Sequence, residues 1–337
     1  MKVTIYDVAR EAGVSIATVS NLINNKGHVG KKTKKHVLEV MGRLNYQPNF
    51  LASALTGKQT YTLGLVLPDI SNPYYGQLAR AIESKAIELG YSVILCSTYH
   101  DDDRTQRYIS LLQQKKVDGI MIGTGESDNL LDQLHKLEIP IALVGRDISS
   151  LSVTSVLVDD FLGGYLATKH LVELGHTKIA IITEDLNVFN TNERLRGYKF
   201  ALEEADIPFC DQLLKTCDFT VEDGKARTVE LLENSSIRPS AVFACNDLLG
   251  IGVIQAAKEM GLQVPADLSV VGFDNIMFAA YTDPALTTVS QPIDQIGMKA
   301  VDLLVDEINN KEEIKQRVTI RPQLVIRQST TTFHNQS

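Results

Sequence analysis

Residues 4–24, TIYDVAREAGVSIATVSNLIN, constrain this chain most, because they read as two short helices joined by a glycine-marked turn. Thr4 followed by Asp7 resembles a capping box, with Asp where Glu or Gln is usual, and Ile5, Val8, Ala9 and Ala12 recur on one helical face. Gly13 is expected to end the first helix, and Ser15 to accept a hydrogen bond from the freed amides of the second. There Val19, Leu22 and Ile23 face inward, while Ile16, Ala17, Ser20 and Asn21 remain outside. A third run, with Val37, Val40, Met41 and Leu44 at core spacing, closes a small globule and ends at Tyr46 and Pro48. A helix pair of this kind presents its second helix to the major groove of duplex DNA.

Charge supports that reading. Residues 1–60 hold nine Lys and Arg against three Asp and Glu, a net +6; the chain totals of 33 and 41 leave 24 basic and 38 acidic residues for 61–337, a net −14. Four of the nine crowd into KKTKK at 31–35. A basic front suits phosphate contacts and counterion release, whereas the acidic remainder would be repelled by a polyanion.

With 337 residues, 44% of them hydrophobic, two or three cores are expected. No apolar run reaches bilayer length and the amino terminus lacks a signal-peptide stretch, so the expectation is a cytoplasmic protein without a membrane partner. Cys96, Cys210, Cys217 and Cys245 have no paired metal spacing and read as small buried hydrophobes, with no metal or cofactor expected.

Beyond Thr60 strand-like runs (YTLGLVLPD, SVILCST, GIMIG, IALVG, TSVLVD, KIAIIT, AVFAC, LSVVGFD) alternate with room for helices, a βαβ rhythm of roughly ten strands. The fold class expected is a small all-α headpiece plus an α/β core of two doubly wound parallel-sheet lobes, with ligand bound beyond the strands' carboxyl ends in the cleft between lobes. Post-strand positions carry Asn72, Pro73, Tyr74, Tyr75, Arg146, Asn192, Arg194, Asn246, Asp247, Asp274 and Gln291. Aromatic faces stack on sugars or bases, and the polar groups make directional hydrogen bonds, a chemistry of binding rather than turnover. HDDD at 100–103 reads as a solvated turn, GTGES at 123–127 lacks dinucleotide-loop spacing, and no nucleophile with a partnered base is evident, so no enzyme is expected.

From YDVAREAGVS and ATVS at the start to VVGFDN and LTTVSQP near the end, the chain resembles the lactose repressor (LacI/GalR) family of bacterial transcription factors over almost its whole length. The resemblance implies a headpiece at 1–48, a hinge helix at 49–60 and a core at 61–337, its N-lobe about 61–160 and 291–320 and its C-lobe about 161–290 and 321–337. It implies that Ile16, Ala17 and Asn21 read base edges, Asn21 standing where many members have arginine, so that adenine suits it better than guanine. Ser15, Ser20, Asn24, His28 and Tyr46 match phosphate-contacting positions, Thr4, Tyr6 and Asn49 complete the DNA-facing set, and Leu55 matches the apolar wedge of the minor groove. No arginine lies between Asn49 and Thr56, where many relatives have one.

For the effector, the resemblance implies stacking by Tyr74, Tyr75 and Phe219, with polar contacts from Asn72, Arg146, Asn192, Arg194, Asn246, Asp274 and Gln291. Gly145 replaces the aspartate of ribose-type sites, which leaves room for a hexose or disaccharide; a phosphosugar is the other candidate, held by the arginines. The implied protein is a repressor binding a pseudo-palindromic double-stranded operator as a homodimer, since RQSTTTFHNQS after Ile326 lacks a leucine-heptad tail for tetramers. Two alternatives are a catabolite-control regulator with a phosphorylated carrier protein as corepressor and a purine-responsive repressor. Val301 and Asp302 stand where the former calls for a basic residue.

Overall fold

The computed structural model describes residues 3–23, 29–46, 59–123, 134, 138–146, 152–186, 188–233, 237–310 and 315–333. The expected contacts of Asn24, His28, Asn49 and Leu55 lie outside these residues. The chain divides into two compact units, Met1–Thr60 and Tyr61–Ser337.

The first unit is a three-helix globule of α1 (Ile5–Ala12), α2 (Ile16–Ile23) and α3 (Lys31–Arg43). Val8, Ala9, Ala12, Val19, Leu22, Val37 and Val40 make its core, with Ile5, Ile23, Met41, Leu44 and Tyr46 packed around them. Asp7 closes the start of α1 by accepting from the Thr4 amide at 2.9 Å and the Thr4 hydroxyl at 2.7 Å. Gly13, at φ 62°, ends it in the left-handed conformation that costs a glycine least. Arg43 pairs with Glu11 at 2.8 Å, tying α3 to α1.

The second unit holds two six-stranded sheets. The first is built from β1 (Thr62–Leu67), β2 (Ser92–Ser97), β3 (Gly119–Gly123), β4 (Ile141–Val144), β5 (Thr154–Val158) and β11 (Arg317–Ile320), in the order β11-β5-β4-β3-β1-β2 and all parallel. Register follows Leu63 paired with Val93 on one side and Gly119 on the other. The second comprises β6 (Ile179–Thr183), β7 (Leu214–Thr216), β8 (Ala241–Ala244), β9 (Ser269–Asp274), β10 (Thr287–Ser290) and β12 (Gln323–Val325), in the order β12-β10-β9-β8-β6-β7. Only β12, in this sheet, runs antiparallel, against β10. β3, β4, β5, β6, β8 and β9 are buried along their whole lengths, which is why they read as near-continuous apolar runs, with polar residues at the ends of β5, β6 and β9.

Helices α4 (Pro73–Glu88), α5 (Asp102–Gln114) and α10 (Ile293–Asn309) cover the first sheet. α6 (Asp160–Glu173), α7 (Phe189–Glu204), α8 (Val221–Glu233) and α9 (Asp247–Glu259) cover the second. The chain passes between sheets after β5, after β10 and after β11. α6 and α7 cross closely because Gly164 and Gly197 meet there: a Cβ on Gly164 would collide with the Arg194 backbone, and one on Gly197 with the Phe161 carbonyl. That crossing fixes where Arg194 starts.

Candidate functional site

In the first unit Ser15 caps α2 by accepting from the Thr18 amide at 3.1 Å. With Val19 and Leu22 turned into the core, 3.6-residue periodicity leaves Ile16, Ala17 and Asn21 exposed on one face, with Ser20 half-buried beside them. Thr4 and Tyr6 are exposed on α1, and Tyr46 is half-buried against the core, where burial raises its phenol pKa. Lys31, Lys32, Lys34 and Lys35 all project to solvent from the first turns of α3. Cations there oppose the helix dipole, so the segment carries a positive field suited to a phosphate and costly for the helix alone.

In the second unit the strands' carboxyl ends surround a cleft between the two sheets, with a cavity of about 290 Å³. The first lobe supplies Asp69, Asn72, Tyr74 and Tyr75 after β1 and His100 after β2; the second supplies Glu184, Asn190 and Arg194 after β6, Phe219 and Glu222 after β7, Asn246 after β8 and Asp274 at the end of β9. Gln291 lies at the crossover after β10. Eight sequence-derived candidates thus line one cavity: Asn72, Tyr74, Tyr75, Arg194, Phe219, Asn246, Asp274 and Gln291.

Of the ten residues implied for the effector, two do not. Arg146, half-buried at the end of β4, is outside the described lining. Asn192 is exposed and its side-chain amide donates to the Leu186 carbonyl at 3.4 Å. The physical reason is helical phase: on α7, Asn190 and Arg194 are four residues apart and share the cleft face, whereas Asn192 lies between them on the far side. Asn190 donates to the Gly145 carbonyl at 2.6 Å and to Asp160 at 3.0 Å, linking the lobes. Sequence reading also passed over His100, whose ring stacks on Phe219 at 4.6 Å and 19° across the cleft; only Asp101 to Asp103 behave as a turn and helix start, Asp101 capping α5 through the Arg104 amide at 2.9 Å.

Two asparagines are partly engaged in holding the frame. Asn72 caps α4 by accepting from the Tyr74 amide at 3.0 Å, and Asn246 caps α9 through the Leu249 amide at 2.8 Å while donating to Glu184 at 2.9 Å. A hydrogen-bond chain then crosses the cleft floor, from the Tyr74 hydroxyl to Gln291 at 3.4 Å and from the Gln291 amide to Asp274 at 2.7 Å. Asp274 has φ 110°, a strained value for a side-chain-bearing residue, and is followed by Asn275 at φ 60°, whose side chain is clamped by Arg327 at 2.6 Å.

Beneath the wall lies a buried ion pair. Arg194 Nε meets Asp160 at 2.7 Å, its Nη1 donates to the Cys245 carbonyl at 2.5 Å, and its guanidinium stacks 3.7 Å above Phe273. Burial pushes Asp160 up to about 6 even though Arg194 pulls it down. Burial works against the charge on Arg194, but Asp160, Asp274 and Glu184 outweigh it and raise its pKa. Burial likewise drives Asp274 well above the ordinary carboxylate range and Asp247, which accepts from Thr288 and the Ile276 amide, up to about 7. Burial also raises Tyr74, keeping its hydroxyl a donor.

Comparison with known proteins agrees with this architecture. Residues 4–49 match the model of bacterial regulatory proteins of the lacI family, and residues 168–330 that of a periplasmic binding protein-like domain. The HTH-type transcriptional regulator DegA of Bacillus subtilis (strain 168) is 44% identical over 335 residues, 98% of this chain and 99% of that protein. The HTH-type transcriptional repressor PurR of Proteus mirabilis (strain HI4320) is 38% identical over 97% of this chain and 96% of its own length. Catabolite control protein A of Priestia megaterium is 37% identical over 98% and 100%. Among solved structures, the lac repressor dimer bound to operator and the anti-inducer ONPF superposes with TM-score 0.87 at 30% identity, covering 98% of this chain and all of that one. A transcriptional regulator CelR–cellobiose complex superposes with TM-score 0.75 at 30% identity, covering 97% and 100%. The chain belongs to the LacI family of bacterial regulatory proteins. It is a DNA-binding transcriptional regulator with a helix-turn-helix headpiece and a two-lobed α/β core.

Proposed function

We propose that the protein is a homodimeric repressor, acting in the cytoplasm, whose paired headpieces grip a pseudo-palindromic operator with an affinity set by a sugar in the interlobe cleft. The observation that carries the reading is the cleft itself. Tyr74, Tyr75 and Phe219 offer flat faces around Asp274, Gln291 and Arg194, the set that a hydroxylated ring needs for stacking and directional hydrogen bonds. The operator-bound lac repressor dimer and the cellobiose-bound CelR support it by likeness. Ile16, Ala17 and Asn21 read bases in this account, and the α3 lysines with Ser15, Ser20 and Tyr46 hold phosphates.

The cleft's polar groups bond to one another rather than poising a nucleophile, which supports binding without turnover. A phosphoprotein corepressor is disfavoured at α10, where Val301 is fully buried and the half-buried Asp302, paired with Lys85 at 3.4 Å, stands in place of a basic side chain. The test is to select bound fragments from genomic DNA and titrate the operator complex with neutral sugars. The reading expects a ligand that shifts operator affinity, a response abolished by Phe219→Ala with operator affinity retained, and no product from hydrolysable disaccharides. A Phe219→Ala protein that responds at ordinary ligand levels counts against it.

A further inference from the structure

We propose that the cleft sorts ligands by charge, binding a hydroxylated ring that bears a protonated amine more tightly than its neutral parent and shutting out the phosphorylated form. The inference rests on the effector reading above and narrows its chemistry. Four carboxyl groups line the described cavity, on Asp69, Glu184, Glu222 and Asp274, against a single guanidinium, Arg194. Two of its three nitrogens are already committed, Nε to Asp160 and Nη1 to the Cys245 carbonyl, and Phe273 lies against its face, which leaves Nη2 as a single donor rather than a two-pronged grip. Residue Arg194 is only 7% exposed, so a phosphate finds no open fork.

Asp160 and Arg194 cancel as a pair. Burial favours the protonated form of Asp274, which leaves Asp69, Glu184 and Glu222 to set the sign of the cleft. Two of these are anchored: Asp69 by the Ser71 amide at 2.8 Å, and Glu184 by the Asn246 amide at 2.9 Å. A phosphate entering this concave, low-dielectric space meets like charge that it cannot neutralise, whereas an ammonium meets fixed acceptors. The aromatic walls suit the same ligand. Tyr74 and Tyr75 stand edge to face at 5.1 Å and the His100–Phe219 pair stacks at 4.6 Å, so aromatic side chains from both lobes line the space that a sugar's C–H groups or a cation would enter.

The experiment is calorimetric titration of the full-length protein with matched series: glucose, glucosamine and glucose 6-phosphate, and the mannose and galactose counterparts, at low and high salt. In the series that binds, the amine should exceed its neutral parent by about tenfold, the phosphate should show no saturable heat, and salt should narrow the gap. Glu184→Gln should cut the amine's advantage by about threefold or more, with Glu222→Gln, at an exposed position, as the second variant. A phosphate that binds as tightly as its parent, or an amine advantage untouched by salt and by both variants, overturns the charge rule alone. Absence of heat from every series overturns the sugar reading and the inference together.

Discussion

Asp160→Asn and Arg194→Met should damage the core unequally, although each removes one partner of the same ion pair. Both side chains are buried, with 2% and 9% of their surfaces exposed, and the bond between them is 2.7 Å. Asp160→Asn strands a guanidinium that cannot release its proton, and breaking a buried pair this way costs about 3–5 kcal/mol. Arg194→Met strands a carboxyl group whose pKa is about 6 even beside the guanidinium. Near pH 7 it takes up a proton for at most about 1.4 kcal/mol, and the orphaned Cys245 carbonyl adds about 1 kcal/mol, so the total is near 2 kcal/mol. A folded-state pKa raised above 3.8 contributes stability that is fully present below that value and lost as pH rises through about 6. Arg194→Met should therefore recover part of its loss when urea unfolding, followed by circular dichroism, is repeated near pH 5, whereas Asp160→Asn should not. Equal losses near pH 7, or the arginine variant the worse of the two, would refute the reasoning.

Other perturbations test other parts. Ser15→Ala removes the cap of α2 and should cost the headpiece about 1 kcal/mol, read from its thermal transition, with operator affinity falling in parallel. Gly164→Ala drives a Cβ into the Arg194 backbone and should cost about 1–3 kcal/mol or more in urea unfolding, while Gly42→Ala, where a Cβ meets nothing, should not destabilise the headpiece. His176 bonds to Ser240 at 2.9 Å and to Ser269 at 3.0 Å, and burial lowers its pKa. A depressed histidine gives stability present above the ordinary value of 6.5 and lost as pH falls below it; the gap between wild type and His176→Gln should shrink over that window.

Most of the headpiece was legible because a small helical core must repeat its apolar residues at three- and four-residue spacing, as Val8 and Ala12, Val19 and Leu22, and Val37 and Val40 do. The inner strands were legible for the opposite reason, since burial on both faces leaves them near-continuous apolar runs. β7, β10, β11 and β12 escaped: they are three or four residues long, and all but β10 are half-exposed edge segments whose polar side chains resemble loops. Within the cleft the doubly wound pattern points to seven lining residues through strand ends, and the family resemblance adds Phe219; a strand-end rule carries no helical phase, so it does not separate Asn192 from Asn190 on α7. Asp160 carried no local signal at all. It follows Asp159, which caps α6 through the Leu162 amide at 2.9 Å, and only tertiary packing shows that one aspartate faces solvent-side donors and the other Arg194.

The most direct test of the account is operator affinity measured against salt, with and without cleft ligand, on the full-length protein. The account predicts that log K falls linearly with log salt at about 0.9 per phosphate neutralised, and that ligand shifts K by about 5- to 150-fold. Binding indifferent to salt, or a ligand that fills the cleft yet leaves operator affinity unchanged, would contradict it.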